Sequence, residues 1–149
     1  MNQRSIQIYG MAKATLEQGF APVMSGPGSP EWDYVHIHDL GQFFALAVDA
    51  ALDKEKAHNS EIFGPNGYFF VENGSHSWRR DAELIAKAAK EQGYIKEAEV
   101  KEGDYKNFGA NSKGVAQRAR KYFGWKPTGR SLEEEIPDIV KGEAQVLGK

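Results

Sequence analysis

Three stretches with helix-like apolar spacing each stop at a glycine, and the residues between them fall into short runs suited to strands. Apolar residues at Ile6, Ile8, Met11, Ala12 and Leu16 suggest a first helix, ended by Gly19. Ala82, Ile85, Ala86 and Ala89 do the same ahead of Gly93, so a helix is predicted over 78–92 with Ser77 as its N-cap. A third helix is predicted from Asn111 or Ser112 to Tyr122, closed by Gly124. Helices of this length must bury their stripe against something, and the strand-like runs between them supply it. The fold class that follows is α/β, a mixed α+β arrangement for the isolated chain, with residues 1–149 forming one unit around one core.

The intervening segments sharpen this reading. Phe20 to Met24 fits a short strand leading into the Gly26-Pro27-Gly28 turn, and Tyr34 to Ile37 fits a second. Asp39 is placed to N-cap a helix carrying Phe43, Phe44, Leu46, Ala47, Ala50 and Ala51, with a polar loop from Asp53 to Ser60 after it. After the Asn66-Gly67 turn, Tyr68-Phe69-Phe70-Val71 is continuously apolar, as in a strand buried on both faces. Asn73-Gly74-Ser75 ends that run. Ala98 to Val100 suggests another strand, and Ser131 with Glu134 forms a capping box for a last helix that Pro137 should bend or delay.

Composition removes several function classes. With 149 residues, 40% hydrophobic and 27% charged, the chain is an ordinary globular protein rather than a disordered one. A net charge of −2, without basic clusters among the aromatics, gives no reason to expect nucleic acid or an acidic membrane surface. The absence of Cys excludes disulfides, thiolate catalysis and Cys-type zinc sites. The first residues carry no signal-peptide core and no apolar run could span a bilayer, so a cytoplasmic location is expected.

The chemical motifs mostly have structural explanations. A dinucleotide needs a glycine-rich turn between strand and helix, whose amides face the pyrophosphate. Gly26-Pro27-Gly28 comes nearest, but Glu31 stands where the third glycine belongs, and Pro27 and Pro30 lack N–H donors. A Tyr-x-x-x-Lys pair, in which the ammonium eases proton transfer from the tyrosine, occurs at Tyr9/Lys13 and Tyr122/Lys126. Gly124, Trp125 and Pro127 break any helix joining the second pair. His36 and His38, two apart on a predicted strand, could grip zinc, but His58 and His76 fall in loops, and Asp39 is better explained as a cap. Ser75-His76-Ser77 has no Gly-x-Ser-x-Gly elbow around it, and Asn73-Gly74-Ser75 is a turn before it is a glycosylation site. Glu133-Glu134-Glu135 suits a helix N-terminus. No catalytic, cofactor-binding or metal-binding residue is assigned.

The order of these pieces resembles a known family. The Arg4-Ser5-Ile6-Gln7 opening and the landmark from Gly28 through Trp32-Asp33-Tyr34-Val35-His36-Ile37-His38-Asp39-Leu40 come first. Tyr68 to Trp78, then Ser112-Lys113-Gly114 through Gly124-Trp125-Lys126-Pro127, follow in order. The set is similar to the extended short-chain dehydrogenase/reductases, the NAD(P)-dependent epimerase/dehydratase-like proteins, and most similar to their fungal-type or NmrA-like reductase members. In that family a Rossmann nucleotide-binding half and the catalytic Tyr and Lys precede the landmark, whereas here Trp32 already stands near the start of the sequence.

The resemblance implies the C-terminal part of such an enzyme: a substrate lobe plus a returning strand and helices, without the cofactor half. NAD or NADP would serve the parent family, and none is expected on this chain alone. Tyr68 to Val71 resembles the returning strand, whose missing neighbours would leave an apolar edge open to self-association or to another chain. Where sugar-nucleotide epimerases of the family commonly place an Arg against diphosphate, Trp32 stands here. An indole suits a flat or apolar carbonyl or alcohol better than a nucleotide sugar. Trp32, Tyr34 and Gln7 are therefore the expected substrate-binding residues, for a small-molecule substrate. The expected function is the substrate-binding portion of an NAD(P)-dependent oxidoreductase or epimerase-like protein, inactive by itself. The alternatives are a non-enzymatic α/β binding or interaction module and, less favoured, a metal-dependent hydrolase around His36 and His38.

Overall fold

The computed structural model describes residues 6–24, 30–103 and 110–149. Arg4-Ser5 and the Gly26-Pro27-Gly28 turn lie outside the described residues. In chain order the elements are α1 (Gln7–Gln18), β1 (Ala21–Met24), β2 (Glu31–Asp33), α2 (Ile37–Leu52), β3 (Ser75–Ser77), α3 (Trp78–Glu91), β4 (Val100–Gly103), α4 (Gln117–Phe123) and α5 (Leu132–Val146). β1 pairs in parallel with β4, from Ala21 opposite Val100 to Met24 opposite Gly103, and β2 pairs with β3. This is the mixed α/β arrangement that the alternation of glycine-ended helices and short apolar runs requires.

The single core expected from chain length is instead two. The chain divides into one compact unit made of Met1–Trp32, His76–Ser112 and Leu132–Lys149, and a second made of Asp33–Ser75 and Lys113–Ser131. In the first unit, α1, α3 and α5 pack on one another, and α1 and α3 pack on β1. Ile8, Met11, Leu16, Val23, Ile85, Ile136 and Val140 fill the space between them. Ala12, Ala82, Ala86 and Ala89, fully buried, allow the helices to approach closely. Gly19 ends α1 in the left-handed region at φ 79°, a conformation that costs a Cβ-bearing residue more. Pro137 does not delay α5. The helix starts at Leu132 and carries the proline inside it.

The second unit is smaller and built differently. Phe43, Ala116, Ala119 and Trp125 form its buried cluster, with Val35, Leu46, Phe69, Val71 and Phe123 against them. Aromatic edges do much of the packing: Phe43 meets Phe123 at 5.2 Å and Trp125 at 6.3 Å, both edge-to-face. On the other side of α2, Ile37, Phe44, Val48 and Leu52 are exposed.

Several expectations are corrected here. The strand predicted over Tyr34–Ile37 lies earlier, at Glu31–Asp33, because α2 has already begun at Ile37. Its N-cap is His36, not Asp39: His36 Nδ1 accepts from the His38 N–H at 3.1 Å, while Asp39 is drawn inward. Tyr68–Val71 is not a strand buried on both faces. It belongs to no sheet, and although Phe69 and Val71 pack inward, Tyr68 and Phe70 are 77% and 65% exposed. The α4 helix begins at Gln117 rather than at Asn111 or Ser112, because the Ser112 N–H donates to the Glu31 carbonyl at 3.0 Å and holds that backbone extended. The strand suggested at Ala98–Val100 lies slightly later, at Val100–Gly103.

Candidate functional site

In the first unit, β2, β3 and the start of α3 gather an aromatic cluster with a buried acid behind it. The Trp32 indole N–H donates to the Ala110 carbonyl at 2.6 Å, and its ring stands edge-on to Trp78 with centroids 5.2 Å apart. Trp78 in turn stands edge-on to His76 at 5.0 Å. His76 Nδ1 lies 2.5 Å from Asp81 Oδ2, and their side chains are 10% and 4% exposed. This close contact fixes the imidazole ring against the start of α3. This pair links the residue before the Ser77 N-cap to the first turn of α3, where Ser77 Oγ accepts from the Arg80 N–H at 3.3 Å. It is a polar counterpart of the apolar staple found at helix starts.

Sequence reasoning treated His76 only as a loop histidine. The usable signal was its spacing: a His just before an N-cap and an Asp five residues on, inside the first turn, can reach each other. The expected substrate residues are distributed as follows. Trp32 is half-buried in β2, and Gln7 sits at the start of α1, both in the first unit. Tyr34 belongs to the second unit, where its ring lies against Gly74 so closely that a Cβ there would meet Tyr34 Cε1 at 3.3 Å.

Asp39 is the most constrained acid of the second unit. Fully buried, it accepts from the Thr128 N–H at 2.8 Å and from the Gly129 N–H at 2.9 Å, while its own carbonyl accepts from the Trp125 indole at 2.9 Å. A side chain at residue 129 would fall 2.6 Å from His36 Cβ and 2.8 Å from Asp39 Oδ2, so this approach needs Gly129. Glu72 is a second hub, accepting from Gly74 N–H at 3.0 Å, Ala116 N–H at 3.1 Å and Arg120 at 2.9 Å. Burial pushes its pKa up, but those three donors together outweigh burial and hold the carboxyl below its ordinary 4.5. Glu61 is held low mainly by Arg118, whose guanidinium also bonds the Tyr68, Glu61 and Asn66 carbonyls and lies over the Phe69 and Tyr122 rings. Asp53 is held low by the Lys56 and Glu55 amides just after α2.

The remaining motifs resolve into structure. His36 and His38 are not a strand pair: the first caps α2, and the second faces Gln42 at 3.0 Å. Among the described residues no group of three or more His, Cys, Asp or Glu side chains could hold a metal. Tyr9 packs on the first core and Lys13 pairs with Glu17 at 3.8 Å. Tyr122 donates to Glu61 at 3.3 Å, and Gly124 in the left-handed conformation separates it from Lys126. No helix among the described residues is long and apolar enough to cross a membrane.

A nicotinamide dinucleotide does not fit the described residues. Its pyrophosphate needs open N-terminal helix amides behind a glycine-rich turn. Among the described residues β1 is followed by β2 rather than by a helix, and β3 runs into α3 through Ser77 with no glycine between them. The first amides of α3 are already engaged, by Pro30 and Ser77, and Asp81 adds negative charge there. α2 opens on the buried Asp39, and α5 opens on three glutamates.

No family model matches the chain. The oxidase ucsJ of an Acremonium species is 33% identical over 160 residues, covering 97% of this chain. The chain spans only 46% of that oxidase. Among solved structures, a Burkholderia cenocepacia protein assigned as an epimerase matches with a TM-score of 0.63 at 14% identity, over 96% of this chain and 43% of that one. The UDP-glucose 4-epimerase of Thermotoga maritima, solved with UDP-glucose, matches with a TM-score of 0.61 at 21% identity, over 94% of this chain and 40% of that one. The fold of this chain is thus that of part of these α/β proteins.

Proposed function

We propose that this chain is the substrate-side portion of an NAD(P)-dependent oxidoreductase or epimerase-like protein acting on a carbonyl or alcohol. One observation carries the reading. Nearly the whole chain follows the fold of 43% and 40% of two epimerase chains, while the described residues offer no place for a dinucleotide. The 33% identity to an oxidase favours redox chemistry for the complete assembly. On this reading the chain binds and orients substrate, and the hydride chemistry belongs to other polypeptide. Alone, it does not turn over.

Trp32 is the substrate wall in this reading, with Gln7 of the same unit as a lesser contributor. Its indole is anchored at one end by the Ala110 carbonyl and braced by Trp78, so the ring can receive a flat or apolar group without first losing rotamer freedom. A guanidinium would prefer diphosphate; an indole does not. Titrating the chain with aromatic and long aliphatic carbonyl compounds should quench tryptophan fluorescence saturably, and Trp32→Ala should abolish the effect. UDP-glucose should leave the signal unchanged. Saturable binding of UDP-glucose that survives Trp32→Ala would overturn the assignment.

A further inference from the structure

The first unit buries an acid and an imidazole that the substrate-side reading does not use. His76 and Asp81 meet at 2.5 Å, with side chains 10% and 4% exposed. An apolar pair would close the same corner of α3 without taking polar groups out of water, so stability alone gives little reason for this one. The two arginines just before Asp81 are engaged with other acids, Arg79 with Glu102 at 2.6 Å and Arg80 with Glu133 at 3.2 Å. Asp81 is thus turned inward to His76 rather than out to the surface ion pairs beside it.

Three contacts in series lead from Asp81 to the Trp32 indole. Asp81 holds the His76 ring, which stands edge-on to Trp78 with centroids 5.0 Å apart and planes at 77°. Trp78 stands edge-on to Trp32 at 5.2 Å and 79°. Near-perpendicular packing is a preferred geometry of aromatic pairs, and each ring then sets how its neighbour is turned. Trp78 belongs to the buried cluster of the first unit, so it cannot swing out to solvent, and Trp32 is packed against that cluster. The indole N–H of Trp32 is pinned by the Ala110 carbonyl. One end of the ring is therefore fixed by a hydrogen bond, and Trp78, backed by His76, stands where it sets the tilt.

We propose that His76 and Asp81 are positioning residues for Trp32. Asp81 fixes the imidazole, the imidazole fixes the Trp78 ring, and Trp78 sets the tilt at which Trp32 meets an apolar carbonyl or alcohol substrate. Neither member of the pair touches substrate. A wall held at one tilt binds without the ordering cost of a loose one, and for one side chain that cost corresponds to about a three- to tenfold change in affinity. That Trp32 meets substrate rests on the function proposed above; that the pair sets its tilt does not.

Two readouts on the full chain test the two statements separately. Indoles this close and crossed couple electronically, giving paired bands of opposite sign in the far-ultraviolet circular dichroism. Trp32→Phe keeps an aromatic ring but should remove those bands, which assigns them to the pair. His76→Leu and Asp81→Ala, measured where both remain folded, should each weaken the bands. They should also weaken binding of acetophenone, an aromatic ketone followed by tryptophan quenching, by about three- to tenfold. Asp81→Asn can still hydrogen-bond the imidazole and should keep most of both signals. Should His76→Leu fail to fold, His76→Gln replaces it: the amide can bond Asp81 but offers Trp78 no ring, so the bands should weaken again. Bands and affinity that stay unchanged while only the melting temperature falls would overturn the proposal and leave the pair a helix staple. Bands that weaken in variants of a parent chain that never binds the ketone keep the positioning role and remove Trp32 as a substrate wall.

Discussion

The two units of this chain reach stability by different means. The first is held by apolar burial: α1 and α3 pack on the parallel strand pair, α5 packs on both helices, and seventeen hydrophobic residues among those described form one buried cluster. The buried cluster of the second has only four, and polar hubs hold the unit together, with Asp39, Glu72 and Arg118 each gathering several partners. Many of its large apolar side chains face solvent instead, at Ile37, Phe44, Val48, Leu52, Tyr68, Phe70 and Val115. A closed core and an open one can thus alternate along the same sequence. The open one relies on polar pinning because few of its large apolar side chains are buried.

Core truncation should separate the two units most strongly. Trp125→Ala removes the ring at the centre of the small cluster together with its bond to the Asp39 carbonyl, and should cost the second unit about 4 kcal/mol. Ile85→Ala in the first unit should cost about 3 kcal/mol, because the surrounding side chains can relax only partly. Hydrogen exchange read unit by unit should show each loss confined to its own unit. Uniform loss from either variant would mean that the division has no energetic content.

Buried polar groups give the next contrast. Asp39→Ala strands the Thr128 and Gly129 amides and should cost about 3 kcal/mol by chemical denaturation. Thr15, equally buried in the first unit, donates only to the Met11 carbonyl of its own helix at 2.8 Å. Thr15→Val should therefore stay within about 1 kcal/mol. Comparable costs would dissolve the distinction.

A further contrast depends on pH. Glu72 titrates below its ordinary 4.5 in the folded chain, so its contribution is present above that value and is lost as pH falls through the lowered folded one. Glu72→Gln should cost about 2 kcal/mol near neutrality and progressively less below pH 4.5, narrowing the gap between variant and parent melting temperatures in acid. A constant gap across that range would assign the stabilisation to shape rather than charge.

Much of the first unit was legible in the sequence, because glycine-ended helices with regular apolar spacing state their own boundaries. α1, β1 and α3 fell where Gly19, the Phe20–Met24 run and Ser77 placed them. The second unit was harder to read, since its determinants are distant. Nothing near Asp39 announces that amides at 128 and 129 will draw it inward and hand the cap to His36. The apolar run at Tyr68 reads as a doubly buried strand, because local sequence reports what a segment could bury rather than what arrives to bury it. The His76–Asp81 pair was missed for a related reason: its partners meet only across the bend at the start of α3.

The described residues present no cradle for a dinucleotide, and on that the substrate-side reading depends. Calorimetric titration of the chain alone with NADH and with NADPH tests it most directly. No heat of binding is expected up to millimolar cofactor. Saturable binding in the micromolar range, competed by ADP-ribose, would contradict it.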